Sequence, residues 1–321
     1  MYSPPYQITA GILNQVASIS SKLGEIKAAH LSRPSPELRK KNRIKTIQSS
    51  LAIEGNTLSV EQITALFEQK RVIGPKKDIQ EVLNAIDVYS KLDKFEPFNY
   101  KSFLKAHKIL MDGLMEFPGK YRNQAVGIVK GASLAHLAPP ASKVHSLMLD
   151  LFEYVRKSDD LMLIKSCVFH YEMEFIHPFL DGNGRMGRLW QPLLLMKEYP
   201  VFEFLPLETT IKDKQEAYYN ALAKSDKEGQ STSFIQFMLS VINASLEHLL
   251  LTQNVSLTAL ERIQRFYAII KEDMFNRQDY MRVYKEISTA TASRDLKRGV
   301  EEGILIKLGD KRLTKYKFGS Q

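Results

Sequence analysis

The sequence predicts a mainly α-helical protein, and three observations carry that expectation. Apolar residues recur at three- and four-residue spacing along most of the 321 residues, the period of helices with one buried face. Strand-like alternation is scarce. The clearest break in the pattern, 117–140, is rich in glycine and proline, as a turn-containing segment should be.

Taken in order, helices are expected over about 7–29, 36–54, 59–70, 77–93 and 99–115. Ser59 and Gln62 mark the third start with a capping-box pattern before "ITALF". "FPGKYRNQAVGIVKGASLAHLAPP" then holds Gly127, Gly131 and a double proline, and suits a hairpin. Further helices are expected over about 141–156, 160–176, 184–197, 211–225 and 231–250. A polar stretch, "LTQNVSLT", precedes three more helices over about 258–274, 277–287 and 290–302. The final "GILIKLGDKRLTKYKF" reads as two short strands around a Gly-Asp turn. Three helices plus a small hairpin describe a winged helix-turn-helix. The expected domains are therefore a helical region (1–98), a core (99–250) and a winged-helix module (251–321).

Composition bounds the function. With 44% apolar and 25% charged residues the chain reads as an ordinary globular protein. Its apolar runs read as too short to cross a bilayer, so no membrane partner is expected, and "MYSPPYQITAGILNQ" lacks the features of a signal peptide. Cys167 is the single cysteine, which makes a cytoplasmic location the expectation. The formal charge of +9 invites an anionic partner.

"HPFLDGNGRMGRLW", residues 177–190, concentrates the chemistry. Gly182, Gly184 and Gly187 spell the dinucleotide fingerprint, but that motif must follow a strand inside a βαβ unit. "DLMLIKSCVFHYEMEFI" before it is helical in texture, so a helix, a tight loop and a second helix fit better. Pro178 disfavours helical geometry at His177. A new helix starting near Asn183 or Gly184 offers free amides and the positive end of its dipole to an anion. Arg185 and Arg188, three apart, can grip phosphate oxygens. Asp181 suits a Mg²⁺ shared with a polyphosphate, and His177 can take a proton at neutral pH. These parts suggest phosphoryl or nucleotidyl transfer. His170, with His136 and His145, raises a zinc site, yet no tight ligand spacing accompanies them, and packing or flap contacts are the expected role.

"HPFLDGNGRMGR" resembles the Fic signature H-P-F-x-[DE]-G-N-G-R-x-x-R at every specified position. "GKYR" and "LAPPASKV" extend the resemblance over about 100–250, and "SLAIEGN" (50–56) fits the family's inhibitory motif [ST]-x-x-x-E-[GN] with Ser50, Glu54 and Gly55. The resemblance implies a helical Fic-type core with a β-hairpin flap, and transfer of AMP from ATP to a Tyr, Thr or Ser hydroxyl of a target protein or of the enzyme itself. It makes His177 the general base and Asp181 the Mg²⁺ ligand. Asn183, with the amides around Gly182 and Gly184, faces the α-phosphate. Arg185 binds the β-phosphate, and Arg188 the γ-phosphate or Glu54. Met186 and Gly187 complete the nucleotide-binding run, and Tyr218 and Tyr219 line the adenine pocket. Asp226 stands where some relatives have asparagine, so no contact is carried over there. The flap, 126–137, clamps the target by strand addition. Removal of AMP, transfer of another phosphate-containing group and nucleotide sensing by a DNA-binding regulator stay open as alternatives.

An ion pair between Glu54 and Arg188 would also restrain the site on physical grounds, by placing negative charge where the γ-phosphate belongs. Residues 250–321 hold 14 Lys and Arg against 9 Asp and Glu. Thr289, Thr291, Ser293, Arg294, Lys297 and Arg298 resemble the face of a recognition helix, and Lys311, Arg312, Lys315 and Lys317 a basic wing. The module's partner is DNA, through 289–317, or a protein surface. A homodimer burying the inhibitory region is compatible with the sequence.

Overall fold

The computed structural model describes residues 3–28, 36–130, 133–253, 258–270, 274–284, 287–310 and 314–319, with 127–130, 133–137, 252–253, 265 and 268–269 given by their backbone alone. The chain forms two compact units, Met1–His248 and Leu249–Gln321.

Among its described residues the first unit is helical apart from one hairpin. Its elements are α1 (Ala10–Ala28), α2 (Pro36–Ile53), α3 (Val60–Phe67), α4 (Lys76–Tyr89) and α5 (Tyr100–Leu110), then β1 (Gly127–Lys130) and β2 (Ser133–Leu137). It continues through α6 (Ala141–Lys157), α7 (Met162–Ile176), α8 (Asn183–Leu195), α9 (Leu207–Asp213), α10 (Gln215–Glu228) and most of α11 (Thr232–Gln253), which runs past the boundary at His248. The Ser59–Gln62 capping box is present at the start of α3. β1 and β2 are antiparallel, with a register shift between Ile128 and Val129.

α7 lies at the centre. Every residue from Met162 to Met173 is buried, which a helix surrounded on all sides requires. It packs on α6 and on α8, while α2 packs on α4, α8 and α9. Trp190 of α8 is fully buried, donates to the Pro97 carbonyl at 3.0 Å and meets Phe103 edge-on, with centroids 5.0 Å apart. The N-terminal region thus packs directly on the motif helix.

Two expectations are corrected. The helix expected over 211–225 is two helices, α9 and α10, divided at Lys214. The reading that no apolar run could span a bilayer misses Thr232–Leu251, which is long and apolar enough by composition. Its apolar character has a local cause: Phe234, Ile235, Met238, Leu239, Val241, Ile242 and Leu246 are all core residues.

The second unit contains α12 (Ala259–Ile269), α13 (Arg277–Val283), α14 (Thr289–Glu301) and the antiparallel strands β3 (Leu305–Leu308) and β4 (Lys315–Phe318). Ile263, Phe266, Phe275, Tyr280, Ala292, Leu296 and Leu305 form its core. Beneath α14, Arg262 grips Asp295 through Nε and Nη2 at 2.6 and 2.8 Å.

Candidate active site at the α7–α8 junction

α7 ends at Ile176 because Pro178 cannot continue it. His177 takes the left-handed conformation, φ 51° and ψ 61°, rare for a residue with a Cβ and costing about 1 kcal/mol. Arg122 holds this geometry. Its Nε donates to the His177 carbonyl at 2.8 Å, and Nη2 to those of Ile176 and Pro139 at 3.2 and 2.5 Å. Its amide donates to Pro178 O at 2.9 Å. One guanidinium therefore caps α7 and ties it to the segment after the flap.

The loop that follows is braced from inside. Phe179 is fully buried and stacks on His107, centroids 3.5 Å apart. The Gly119 amide donates to His107 Nδ1 at 2.8 Å, so Nε2 carries the proton and donates to Asp181 O at 3.0 Å. Burial lowers the His107 pKa to about 4 and keeps the ring neutral. Asn183 turns inward: its Oδ1 accepts from the Phe179 amide and its Nδ2 donates to the Phe179 carbonyl, both at 2.9 Å. That side chain closes the loop, with its Oδ1 and one N–H of its Nδ2 engaged by the Phe179 peptide. Gly182 stands at φ 86°, where a Cβ would come within 2.7 Å of Met111 Sδ.

α8 begins at Asn183, so the amides of Asn183, Gly184 and Arg185 have no helical partner. Met186 does not belong with them. Its amide already donates to Gly182 O at 3.0 Å and its side chain is fully buried. Gly187 is a packing position too, since a Cβ there would meet the His170 ring at 2.6 Å. Asp181, about half exposed, accepts from the Gly182 amide at 2.6 Å and from Arg185 Nη2 at 3.0 Å. Arg185 is buried, and its Nη1 donates to Glu81 Oε1 at 3.1 Å.

Arg188 points instead to the end of α2. Its Nη2 donates to Glu54 Oε1 at 2.6 Å and Ser50 O at 3.1 Å, and its Nε to Ser50 Oγ at 3.2 Å. The backbone explains why Glu54 stands there. Gly55 donates to Ala52 O and Asn56 to Leu51 O, the paired bonds of a Schellman motif. Gly55 takes φ 89° as that motif requires. Glu54 is thus the last residue before the reversal, 32% exposed, over an Arg188 that is 1% exposed. A Cβ on Gly184 would lie 2.6 Å from Glu54 Oε1, so the carboxylate occupies the space above the first turn of α8. Burial pulls the Arg188 pKa down, but Glu54, Tyr218 and Glu174 outweigh it and leave it above its ordinary value. Burial raises Glu174 to about 8 and Glu208 to about 7.

Tyr218 is 1% exposed, with its hydroxyl 3.1 Å from His170 Nε2. Tyr219 is only partly buried. His170 also contacts Gln191 Oε1 at 2.7 Å, and burial lowers its pKa to about 3. It is a packed residue beneath Tyr218. His145 lies beside Tyr100 and Tyr121, the side chain of His136 lies outside the described residues, and no metal-binding cluster of three His, Cys, Asp or Glu exists among the described residues. Asp226 accepts from Tyr171 at 3.0 Å. Glu81, His107 and Arg122 were not assigned roles from sequence; only the "GKYR" string pointed towards one of them.

Taken together, the junction offers an anion cradle, two arginines, one half-exposed carboxylate and an imidazole on a fixed backbone. The model of the Fic/DOC family matches residues 97–195. The chain is 27% identical to the protein adenylyltransferase Fic of Drosophila erecta over 247 residues, 73% of this chain and 47% of that one. It is 26% identical to that of Nematostella vectensis, covering 72% and 54%. The chain thus spans about half the length of the curated relatives it matches. A crystal structure of a Fic family protein from Desulfovibrio desulfuricans G20 superposes with a TM-score of 0.76 at 38% identity, covering 100% of this chain and 99% of that one. Fic-1 of Caenorhabditis elegans shares the fold at a TM-score of 0.65 and 19% identity, covering 77% and 74%.

Proposed function

The chain belongs to the Fic family, and on that premise we propose that it is a protein adenylyltransferase restrained by its own Glu54. The target hydroxyl oxygen attacks the α-phosphorus of ATP, the bond to the β-phosphate oxygen breaks, pyrophosphate leaves, and His177 takes the proton. The amides of Asn183, Gly184 and Arg185 stabilise charge on the α-phosphate. Asn183 acts by shaping the loop, Arg185 meets the β-phosphate and Arg188 the γ-phosphate.

Asp181 fits a magnesium ion. It is a hard carboxylate beside the cradle, and with no protein cage among the described residues the remaining ligands would be phosphate and water, as this ion prefers. When bound, the ion neutralises charge developing on the leaving group. Tyr219 borders the adenine; Tyr218 supports it from below. The β1–β2 hairpin holds the target by strand addition. A cytoplasmic location, resting on the single cysteine, and a homodimer belong to the same proposal.

The single observation that carries the restrained reading is the 2.6 Å contact of Glu54 with Arg188. The partial exposure of Glu54 also favours a second reading, in which it orients water to remove AMP from a modified target. Incubation with ATP and cell lysate, followed by intact-mass analysis, tests both. A gain of one AMP moiety that is lost in His177→Ala supports transfer; loss of AMP from a modified protein supports removal. Neither change would overturn the enzyme reading in favour of nucleotide sensing.

For the second unit we propose a winged helix-turn-helix. Supporting it are the order of three helices and hairpin and the bridge between Phe275 and Tyr316. On α14 Asp295 is turned inward and paired with Arg262, while Arg294, Lys297 and Arg298 stay exposed, the last two facing Glu301 and Glu302 at 3.6 and 4.0 Å. Lys315 and Lys317 are exposed on β4; Lys311 and Arg312 lie outside the described residues. The exposed cations of α14 and β4 support duplex DNA as the partner, with a protein surface as the alternative. A salt-dependent gel shift is expected, and no shift at low salt would leave protein docking.

A further inference from the structure

Glu81 on α4 carries a carboxylate that is 6% exposed, and its two oxygens serve different elements. Oε1 accepts from Arg185 Nη1 at 3.1 Å; Oε2 accepts from Asn56 Nδ2 at 2.8 Å. Asn56 is the second residue after Glu54, in the reversal that ends α2. The same reversal is pinned to α4 elsewhere: the amide and hydroxyl of Thr57 donate to Asp78 Oδ2 at 2.8 and 2.6 Å, and Asn56 Nδ2 reaches Asp78 O at 3.1 Å. Asp78 and Glu81, three apart, share one helical face.

The charges make this arrangement consequential. Arg185 is forked between two carboxylates, Glu81 on Nη1 and Asp181 on Nη2, which fixes the plane of its guanidinium. The two are not equivalent. Asp181 is about half exposed and open to a cation on its solvent side, whereas Glu81 is buried and, among the described residues, its one other ion-pair partner is Lys77, at 4.0 Å and 71% exposed. A buried carboxylate without its counterion is strongly unfavourable, so Glu81 and Arg185 keep each other in place.

Resting on the adenylyl-transfer reading, we infer that Glu81 is the positioning residue for Arg185 and links it through Asn56 to the Glu54 turn. One turn then governs both arginines, Arg188 by direct contact and Arg185 through the Asn56–Glu81 bridge. Movement of Glu54 away from Arg188 loosens Asn56 or shifts Glu81, and either resets the arginine that meets the β-phosphate.

Two measurements test this on the full chain. AMP, ADP and ATP are titrated into Glu54→Gly and into the same variant carrying Glu81→Ala or Glu81→Gln. With Glu81→Ala, ADP and ATP weaken by about tenfold, the scale of a charge-assisted contact, while AMP, which lacks a β-phosphate, changes less than about twofold. Glu81→Gln, which keeps the shape and an acceptor oxygen, recovers part of the loss. Equal weakening of all three nucleotides, or no change, would overturn the positioning role. Amide exchange needs no nucleotide: Asn56→Ala and Glu81→Gln, in the otherwise unaltered chain, should each speed exchange across 54–58, and unchanged rates overturn the link. Should Glu54→Gly bind none of the three nucleotides, the adenylyl-transfer reading falls with the positioning role, and exchange alone decides the link.

Discussion

Arg188 in the first unit and Arg262 in the second are both buried arginines facing a carboxylate, and the two pairs are built differently. Arg262 meets Asp295 through two parallel hydrogen bonds, both side chains are under 9% exposed, and Tyr280 adds a third contact at 3.3 Å. Arg188 meets Glu54 through one oxygen, and that carboxylate is 32% exposed at the reversal of α2. A bidentate pair closed on every side cannot be exchanged for another anion without unfolding its surroundings. A single contact with a partly exposed partner can. An arginine facing a carboxylate is thus closed off in the Arg262–Asp295 pair and open on one side in the Arg188–Glu54 pair.

The largest effect tests the closed pair. Asp295→Ala leaves Arg262 buried without its counterion, at a cost of about 3–5 kcal/mol, much of what a small unit has to lose. The α12–α14 region should lose amide-exchange protection, while Trp190, the single tryptophan, reports an unchanged first unit by fluorescence. Retained protection in the second unit would erase the contrast. Gly55→Ala is a gentler probe of the open pair. Its Cβ meets nothing within 4 Å, so the cost is that of a left-handed residue, about 1 kcal/mol. A lower urea midpoint for Trp190 and a modest rise in AMP transfer are expected.

A smaller difference lies in pH. Glu174 and Glu208, raised by burial to about 8 and about 7, hold their protons in the folded first unit to higher pH than a free carboxyl does. The stability they give is full below their ordinary 4.5 and is lost as pH rises through 7 and 8. His107 and His170, lowered by burial to about 4 and about 3, act oppositely: their stability is full above 6.5 and is lost as pH falls. Between 4.5 and 6.5 the opposing slopes offset. The Trp190 urea midpoint should therefore be lower at pH 8 than at pH 5.5. The second unit contains no histidine and lacks the acid limb that histidines supply.

What could be read in advance follows from range along the chain. The α7–α8 junction was legible because its signals are adjacent: a proline that stops one helix, glycines that allow the reversal, arginines one turn apart. "SLAIEGN" was legible as a glycine cap, and the cap is present: its Schellman geometry is what aims Glu54 at Arg188, the contact on which the proposed restraint rests. The inward turn of Asn183 was not visible, since its partner is the peptide of Phe179 rather than a side chain. Glu81, His107 and Arg122 sit 104, 74 and 55 residues from the atoms they hold, beyond any local pattern. The division at Lys214 carries no glycine or proline, and so the continuous apolar spacing concealed it.

The most direct measurement is labelling by ATP carrying an α-phosphate label, wild type beside Glu54→Gly at equal concentration. With Glu54 gone, Arg188 keeps its Ser50 contacts but loses the carboxylate above it, and incorporation should rise by about tenfold or more. Equal incorporation by the two proteins would mean that the carboxylate above the first turn of α8 restrains nothing.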